Sequence, residues 1–320
     1  MRAVLIHERG DFDVMHVEEI EIPRPSSGQV LIKVALAGVN YADALIRMGA
    51  YAFLPPLPHS LGFEVVGTIE EVGPDVANLQ TGTRVVSLVM GGYAEYALAN
   101  AHDVVVLPDE VSDAQAVMIP VQGQTAYLSL KAAYIRQGDM VLVHSAAGGV
   151  GSIAVQLAKL LGAKLVIGTT TSAEKVDFIR SLGADAVVRT DESDWAEQVL
   201  KLTGGQGVQV LLETIGGPVG RQSIDCLAPF GRMVVYGSLT GQPTMFATQE
   251  LIGKCASIIG YNTNIQSHED QMRASQEILQ AIISGQLRVI HESTFPLDQV
   301  SEAHKALLTG KTQGKVLLSM

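Results

Sequence analysis

The chain has 320 residues, of which 47% are apolar and 17% charged; this is enough to build about two cores and excludes a disordered chain. Its formal net charge of −11, from 22 basic and 33 acidic residues, disfavours a nucleic-acid surface. Two cysteines, Cys226 and Cys255, show no CxxC spacing, and eight scattered histidines form neither HxxH nor HExxH, a pattern of reduced cytoplasmic thiols that gives a zinc site little to stand on.

The chain opens Met-Arg-Ala-Val-Leu-Ile-His-Glu, which alternates like a strand and lacks the apolar stretch of a signal peptide. Strands are expected at 3–7, 29–36, 64–72, 83–89 and 94–99, separated by turns such as Gly73-Pro74-Asp75. Residues 1–122 therefore read as a small, mostly antiparallel β domain. From about Gln124 the rhythm becomes strand–helix alternation, with strands expected at 141–144, 164–167, 186–188, 209–212, 232–236 and 257–260. Six such strands are the number for a doubly wound parallel sheet, assigned to 123–263. Helical spacing resumes over 269–284, and 315–319 reads as a strand. The tail 264–320 is expected to rejoin the β domain, making it discontinuous. No stretch is apolar enough to span a membrane; 140–158 is interrupted by His144, Ser145, three glycines and Gln156.

The most informative segment is Val-Leu-Val-His-Ser-Ala-Ala-Gly-Gly-Val-Gly, residues 141–151. A buried strand runs into a turn of small residues, and Ile153, Ala154, Leu157, Leu160 and Leu161 then recur at helical spacing. This geometry offers bare backbone N–H groups of Ala147, Gly148, Gly149 and Val150, and a helix N-terminus, to a pyrophosphate. The turn is GxGxxG with alanine for the first glycine. Its βαβ context is what makes it a dinucleotide signal.

The order of motifs resembles the medium-chain dehydrogenase/reductase superfamily, and within it the zinc-free quinone oxidoreductase branch, similar to zeta-crystallin. The resemblance covers essentially the whole chain. It is carried by Ala37-Gly38-Val39-Asn40-Tyr41-Ala42-Asp43, Leu61-Gly62-Phe63-Glu64-Val65-Val66-Gly67, Gly82-Thr83-Arg84-Val85 and the 145–151 turn. It implies a GroES-like β domain, a Rossmann domain and a substrate cleft between them. Zinc-using relatives carry metal ligands at three places that here hold Asn40, Phe63 and a residue near Val121, so no metal is expected. The resemblance puts Asn40 and Tyr51 beside the nicotinamide and the acceptor as catalytic residues, and Thr125 against the nicotinamide carboxamide. A further tyrosine of some relatives is Leu45 here. For Asn40 a loop residue bonding its own backbone, and for Thr125 a plain helix-start threonine, stand beside those roles. Tyr41, Arg47 and Met48 either line the site or pack under it.

The end of the second parallel strand reports cofactor choice. Rossmann domains that prefer NAD place Asp or Glu there to hold the ribose 2′-hydroxyl. Here the place reads Gly168-Thr169-Thr170-Thr171-Ser172, a polar turn, with Lys175 following. Thr170, Thr171, Ser172 and Lys175 suit a 2′-phosphate, and NADPH is the expected cofactor. A capping box of Thr171 with Glu174 and a solvated lysine stand beside that reading. Relatives often carry Asn-Tyr after the third strand. This chain has Arg189-Thr190, and Arg189 either takes over a phosphate contact or faces solvent. Gly237 and Ser238, ending the fifth strand, complete the expected cofactor contacts.

The resulting expectation is an NADPH-dependent, zinc-independent, cytoplasmic reductase that transfers hydride to quinones or small α,β-unsaturated carbonyls. It is expected to pair as a homodimer through its last parallel strand. An enoyl-thioester reductase is the nearest alternative. A non-enzymatic, dinucleotide-gated RNA-binding or structural protein is the alternative of a different class.

Overall fold

A computed structural model describes residues 1–320, which divide into two compact units. The first comprises Met1–Val121, Ser275–Ile283 and Val289–Met320, and the second Gln122–Ala274 and Ser284–Arg288. The chain thus returns to the first unit at Ser275 rather than at 264, and 284–288 stay with the second.

The first unit begins with β1 (Arg2–Ile6), β2 (Met15–Glu19), β3 (Gln29–Val39), α1 (Tyr41–Met48), β4 (His59–Ser60) and β5 (Glu64–Val72). It continues with β6 (Arg84–Leu88), β7 (Tyr96–Asn100), β8 (Val105–Val106) and the single turn α2 (Asp113–Ala116). β1 lies between β2 and β4 in a small antiparallel sheet. β3 is the long central strand of the larger sheet. Most of its residues are buried, Val30–Ile32 and Ala37–Val39 in unbroken runs, and it pairs antiparallel with both β5 and β7. Val30, Ile32, Val65, Ile69 and Val85 form the centre of this core. α1 stops at Gly49, whose left-handed φ of 75° turns the chain out of the helix.

The second unit carries α3 (Gln124–Ala132), β9 (Met140–Val143), α4 (Gly149–Leu160), β10 (Leu165–Thr170), α5 (Val176–Ser181) and β11 (Ala186–Arg189). Then come α6 (Trp195–Leu202), β12 (Val208–Glu213), α7 (Gly217–Asp225), β13 (Leu227–Val235), α8 (Thr248–Lys254), β14 (Ser257–Gly260) and the start of α9 (His268–Ile283), whose larger part, from Ser275, belongs to the first unit. The strands form one parallel sheet in the order β11-β10-β9-β12-β13-β14. This is the doubly wound arrangement, with its direction reversing between β9 and β12, where such sheets bind ligands. β9 is buried along its whole length because helices cover both faces of such a sheet. The chain closes in the first unit with β15 (His291–Pro296), α10 (Val300–Leu308) and β16 (Lys315–Ser319). β16 pairs with β3 and with β15, the latter in parallel.

One expectation needs correcting. The 168–172 stretch is not a turn throughout, since β10 runs on to Thr170. Thr169 is fully buried, and its hydroxyl bonds Nδ1 of His144 at 2.8 Å. The hydroxyl-rich rim therefore starts at Thr170.

Candidate active site

In the second unit, the turn between β9 and α4 is shaped by close backbone approach. A Cβ on Gly151 would come within 2.2 Å of the Ser145 carbonyl oxygen, and one on Gly168 within 2.5 Å of Ile179 and 2.9 Å of Ala146. Glycine at these two places lets α4 and β10 pack against the turn. Gly148 is the N-cap of α4, and no side chain caps the helix. The first-turn N–H groups of Gly149, Val150 and Gly151 have no carbonyl within the helix and point out of its positive end. Ala147 lies in the same turn and is buried. This cradle fits a pyrophosphate.

At the end of β10, the Thr170 hydroxyl accepts the Ser172 N–H at 3.1 Å, and the Thr170 carbonyl accepts the Thr190 N–H at 2.9 Å. These bonds hold the rim in shape. No carboxylate stands between Thr170 and Ser172, and Thr171 is exposed. The short 3₁₀ turn Ala173–Lys175 takes Ser172 as its N-cap, not Thr171, so the capping box expected from Thr171 and Glu174 does not define this start. Lys175 ends that turn, half-buried beside the rim. Arg189 is engaged by its own neighbours: its guanidinium is bonded to Asp191 and lies 3.6 Å from Glu192. Those carboxylates, foremost Asp191 as the acceptor of its hydrogen bonds, hold the guanidinium charged and partly neutralise its field.

Beyond β13, Gly237 lies against Thr214, with room for no side chain: a Cβ would sit 2.4 Å from the Thr214 hydroxyl. Leu239 and Thr240 donate backbone bonds to Thr214 and Ile215 and fold their loop over the end of β12. Ser238 borders a cavity of about 270 Å³, lined also by Glu213, Met233, Val235 and Phe246. Thr125, in the first turn of α3, is buried and shares a 3.1 Å hydroxyl bond with Thr263.

In the first unit, Asn40 sits at the start of α1 and is 5% exposed. Its Oδ1 accepts from Nζ of Lys315 at 2.8 Å. Its Nδ2 donates to Oε1 of Glu64 at 3.1 Å and to the Gly38 carbonyl at 3.3 Å. Lys315 also donates to Oε1 of Glu64 at 2.5 Å, while Oε2 of Glu64 accepts the Val121 N–H at 3.0 Å. Burial pushes the Lys315 pKa down, and the Glu64 carboxylate, in salt-bridge contact with it inside the core, works against that shift. Gly38 is required here, because a Cβ would lie 2.3 Å from Oε1 of Glu64. The three inherited metal-ligand places thus hold an amide bonded to an ammonium, the phenyl ring of Phe63, and an aliphatic residue. They do not fit a divalent metal, which would meet the Lys315 charge and find neither thiolate nor imidazole.

Asp43 is the second buried carboxylate of this unit. Its Oδ2 accepts the Asn40 N–H at 2.8 Å and the Tyr93 hydroxyl at 3.0 Å, and its Oδ1 accepts the Gly62 N–H at 3.0 Å. Burial raises its pKa to about 6 despite these donors. Tyr51 is half-buried against Phe63, their ring centroids 6.5 Å apart, and its hydroxyl makes no hydrogen bond within the chain. Burial, then the Asp43 charge, raises its pKa and keeps the phenol protonated. Arg47 lines no site. Its side chain is wholly buried, its guanidinium carbon lies 4.5 Å over the Phe12 ring, and Nη1 donates to the Gly10 carbonyl. Tyr41 is half-buried and Met48 is 40% exposed.

Sequence reasoning missed Lys315, Asp43 and Thr214. Lys315 and Glu64 are 251 residues apart, and only the pairing of β16 with β3 brings them together. A lysine opening a closing strand whose next three residues are apolar was the available signal.

Comparison with known proteins follows the same lines. Residues 26–109 match the alcohol dehydrogenase GroES-like domain, and 149–279 match the domain family described as zinc-binding dehydrogenase. The quinone oxidoreductase of Homo sapiens is 34% identical over 324 residues, covering 99% of this chain and 97% of that protein. The 2-haloacrylate reductase of a Burkholderia species is 33% identical, covering 99% of this chain and 98% of that one. The structure of Escherichia coli quinone oxidoreductase complexed with NADPH superposes with a TM-score of 0.94 at 32% identity, covering all of both chains. The chain belongs to the medium-chain dehydrogenase/reductase superfamily, in its quinone oxidoreductase branch.

Proposed function

We propose that this protein is an NADPH-dependent reductase of quinones and small α,β-unsaturated carbonyl compounds, working without a metal as a cytoplasmic homodimer. The observation that carries the reading is the uncapped glycine turn of α4 beside a β10 end that bears hydroxyls and Lys175 but no carboxylate. Related proteins of that name and fold, including one solved with NADPH, support it. When bound, NADPH supplies the hydride.

The α4 N-terminus, through Ala147, Gly148, Gly149 and Val150, neutralises the pyrophosphate. Thr170, Thr171, Ser172 and Lys175 receive the 2′-phosphate, while Arg189, held by its acidic neighbours, adds only a weak field. Thr125, Gly237 and Ser238 border the nicotinamide end. Tyr51 presents a neutral phenol that can donate to the acceptor's oxygen as negative charge develops there. Asn40, whose amide is taken by Lys315 and Glu64, fixes the start of α1 and so the wall on which the acceptor rests. The Lys315 ammonium, bonded to Asn40 and Glu64, would repel a cation there. The test is NADPH and NADH consumption across quinones, enones and enoyl-CoA esters; activity confined to NADH, or to none of these acceptors, overturns the reading.

The dimer is argued from β14. That strand has β13 on one side only, and Ile252 and Met245 nearby are each 74% exposed. Two such edges can pair across a two-fold axis. A monomeric mass by light scattering at micromolar concentration overturns it. No helix is long and apolar enough to cross a membrane, and both cysteines are free thiols, which supports the cytoplasmic placement.

A further inference from the structure

The segment Tyr51–Pro58 carries the phenol assigned above to the acceptor, and it is tied down in an unusual way. Its residues make one hydrogen bond to the rest of the chain, from Nη2 of Arg9 to the Pro55 carbonyl. Pro55 is buried, while Ala52, Phe53, Leu54, Pro56, Leu57 and Pro58 are exposed, Phe53 by 75%. Nη1 of the same guanidinium donates to the Ile46 carbonyl at 2.9 Å, at the end of α1. Arg9 therefore spans two carbonyls with one rigid fork, one on the helix and one on the loop.

The fork is itself anchored. The next residue, Gly10, donates its N–H to the Arg47 carbonyl at 2.9 Å, and its own carbonyl accepts from Nη1 of Arg47 at 2.8 Å. Arg47 is wholly buried, its guanidinium stacked on Phe12. The Arg9 backbone thus has little freedom, and the loop inherits that restraint through a single charge-assisted contact.

We propose that Arg9 is a positioning residue that latches the Tyr51–Pro58 loop to the end of α1 and thereby sets the size of acceptor the protein accepts. This rests on the reading that Tyr51 faces the acceptor. With the latch intact, Tyr51 is held against Phe63 and the loop presents a fixed apolar wall suited to compact, flat acceptors. With the latch removed, the loop can swing, so bulky acceptors gain access and small ones lose a positioned phenol.

The experiment compares Arg9→Met, Arg9→Lys and Tyr51→Phe with the unaltered protein. Chymotrypsin cleavage after Tyr51 or Phe53 should become about tenfold faster in Arg9→Met, a loss of about 1.4 kcal/mol in loop closure. The ratio of kcat/KM for a naphthoquinone with a long side chain to that for benzoquinone should rise by about the same tenfold factor, with KM for NADPH unchanged. Arg9→Lys, which can reach one carbonyl but not both, should fall between. Unchanged cleavage overturns the latch. Faster cleavage with an unchanged acceptor ratio overturns the specificity role. If Tyr51→Phe lowers turnover while Arg9→Met leaves the ratio alone, only this inference fails; if neither variant alters the kinetics, the assignment of Tyr51 fails with it.

Discussion

Around Lys315, donors and acceptors answer one another within the chain: ammonium to amide and carboxylate, amide to carboxylate and carbonyl, carboxylate to backbone. Along the start of α4 the opposite holds, for no side chain caps the helix and its first-turn N–H groups have no partner within it. The first constellation is chemically complete and so holds shape. The second is incomplete, which is what a binding role there requires. Polar residues in one enzyme thus divide by whether their hydrogen bonds are already spent. Asn40 falls on the shape-holding side of that line, and Tyr51, with its unbonded hydroxyl, on the other.

The comparison breaks most visibly if the closed cluster can be opened at no cost. Lys315→Met strands the Glu64 carboxylate in the core and should cost about 3–5 kcal/mol of stability by urea denaturation. Adding Glu64→Gln to that variant should recover more than half. Equal stability of Lys315→Met and the parent would show that the pair is not buried as described.

On the open side, Lys175→Ala should weaken NADPH roughly tenfold to a hundredfold and leave NADH nearly unchanged, from the loss of about 1.5–3 kcal/mol for a charged hydrogen bond. Thr170→Asp should reverse the preference through repulsion of the 2′-phosphate. Two binding titrations per variant check this, and equal loss of both cofactors in Lys175→Ala would make the lysine structural.

Both units should also respond to acid. Burial holds His144, in the second unit, and His304, in the first, at pKa values of about 3. Both are neutral when folded, so their stabilising contribution is complete above pH 6.5, the value in the unfolded chain, and is lost as pH falls towards 3. At pH 5 each should have lost about 2 kcal/mol. Asp43, raised to about 6, works the other way: its stabilising contribution is present below 3.8 and is lost as pH rises through 6. It lies in the first unit with His304, and Glu213, whose pKa burial also raises, lies in the second with His144, so each unit carries a carboxylate that works against its histidine. His144→Asn should flatten the fall in urea stability between pH 7 and 5 by about 2 kcal/mol; an unchanged slope would mean that His144 is not the source.

The smallest expected effect is that of Tyr51→Phe, which removes one neutral hydrogen bond worth about 0.5–1.5 kcal/mol and should lower turnover severalfold without touching NADPH binding. Stopped-flow titration of NADPH beside steady-state rates on the acceptor panel checks both halves.

What was legible in the sequence follows from how each element is buried. The parallel strands read as apolar runs because helices cover both faces, and β14 appears at its expected bounds, 257–260. β2 and β15 went unread because they are largely exposed and lack apolar alternation, as in His-Glu-Ser-Thr-Phe-Pro. The glycine turn was legible because its geometry is local. The Lys315–Glu64–Asn40 cluster was not, since its members meet only through strand pairing, and Arg9 carried no pattern at all. Thr169 was misplaced because a threonine run reads as polar, while in β10 alternate residues face opposite ways and this one bonds a buried histidine.

The enclosure of Lys315 has a use outside catalysis. Its amine is 2% exposed and cannot meet an acylating reagent while the first unit is closed. The thiol of Cys226 is equally hidden in the second unit, its pKa pushed up to about 12 by burial, whereas Cys255 is exposed. The chain therefore carries one concealed amine and one concealed thiol, one in each unit. The rate at which each is labelled, read by peptide mass, would time the opening of the two halves separately, with no probe introduced.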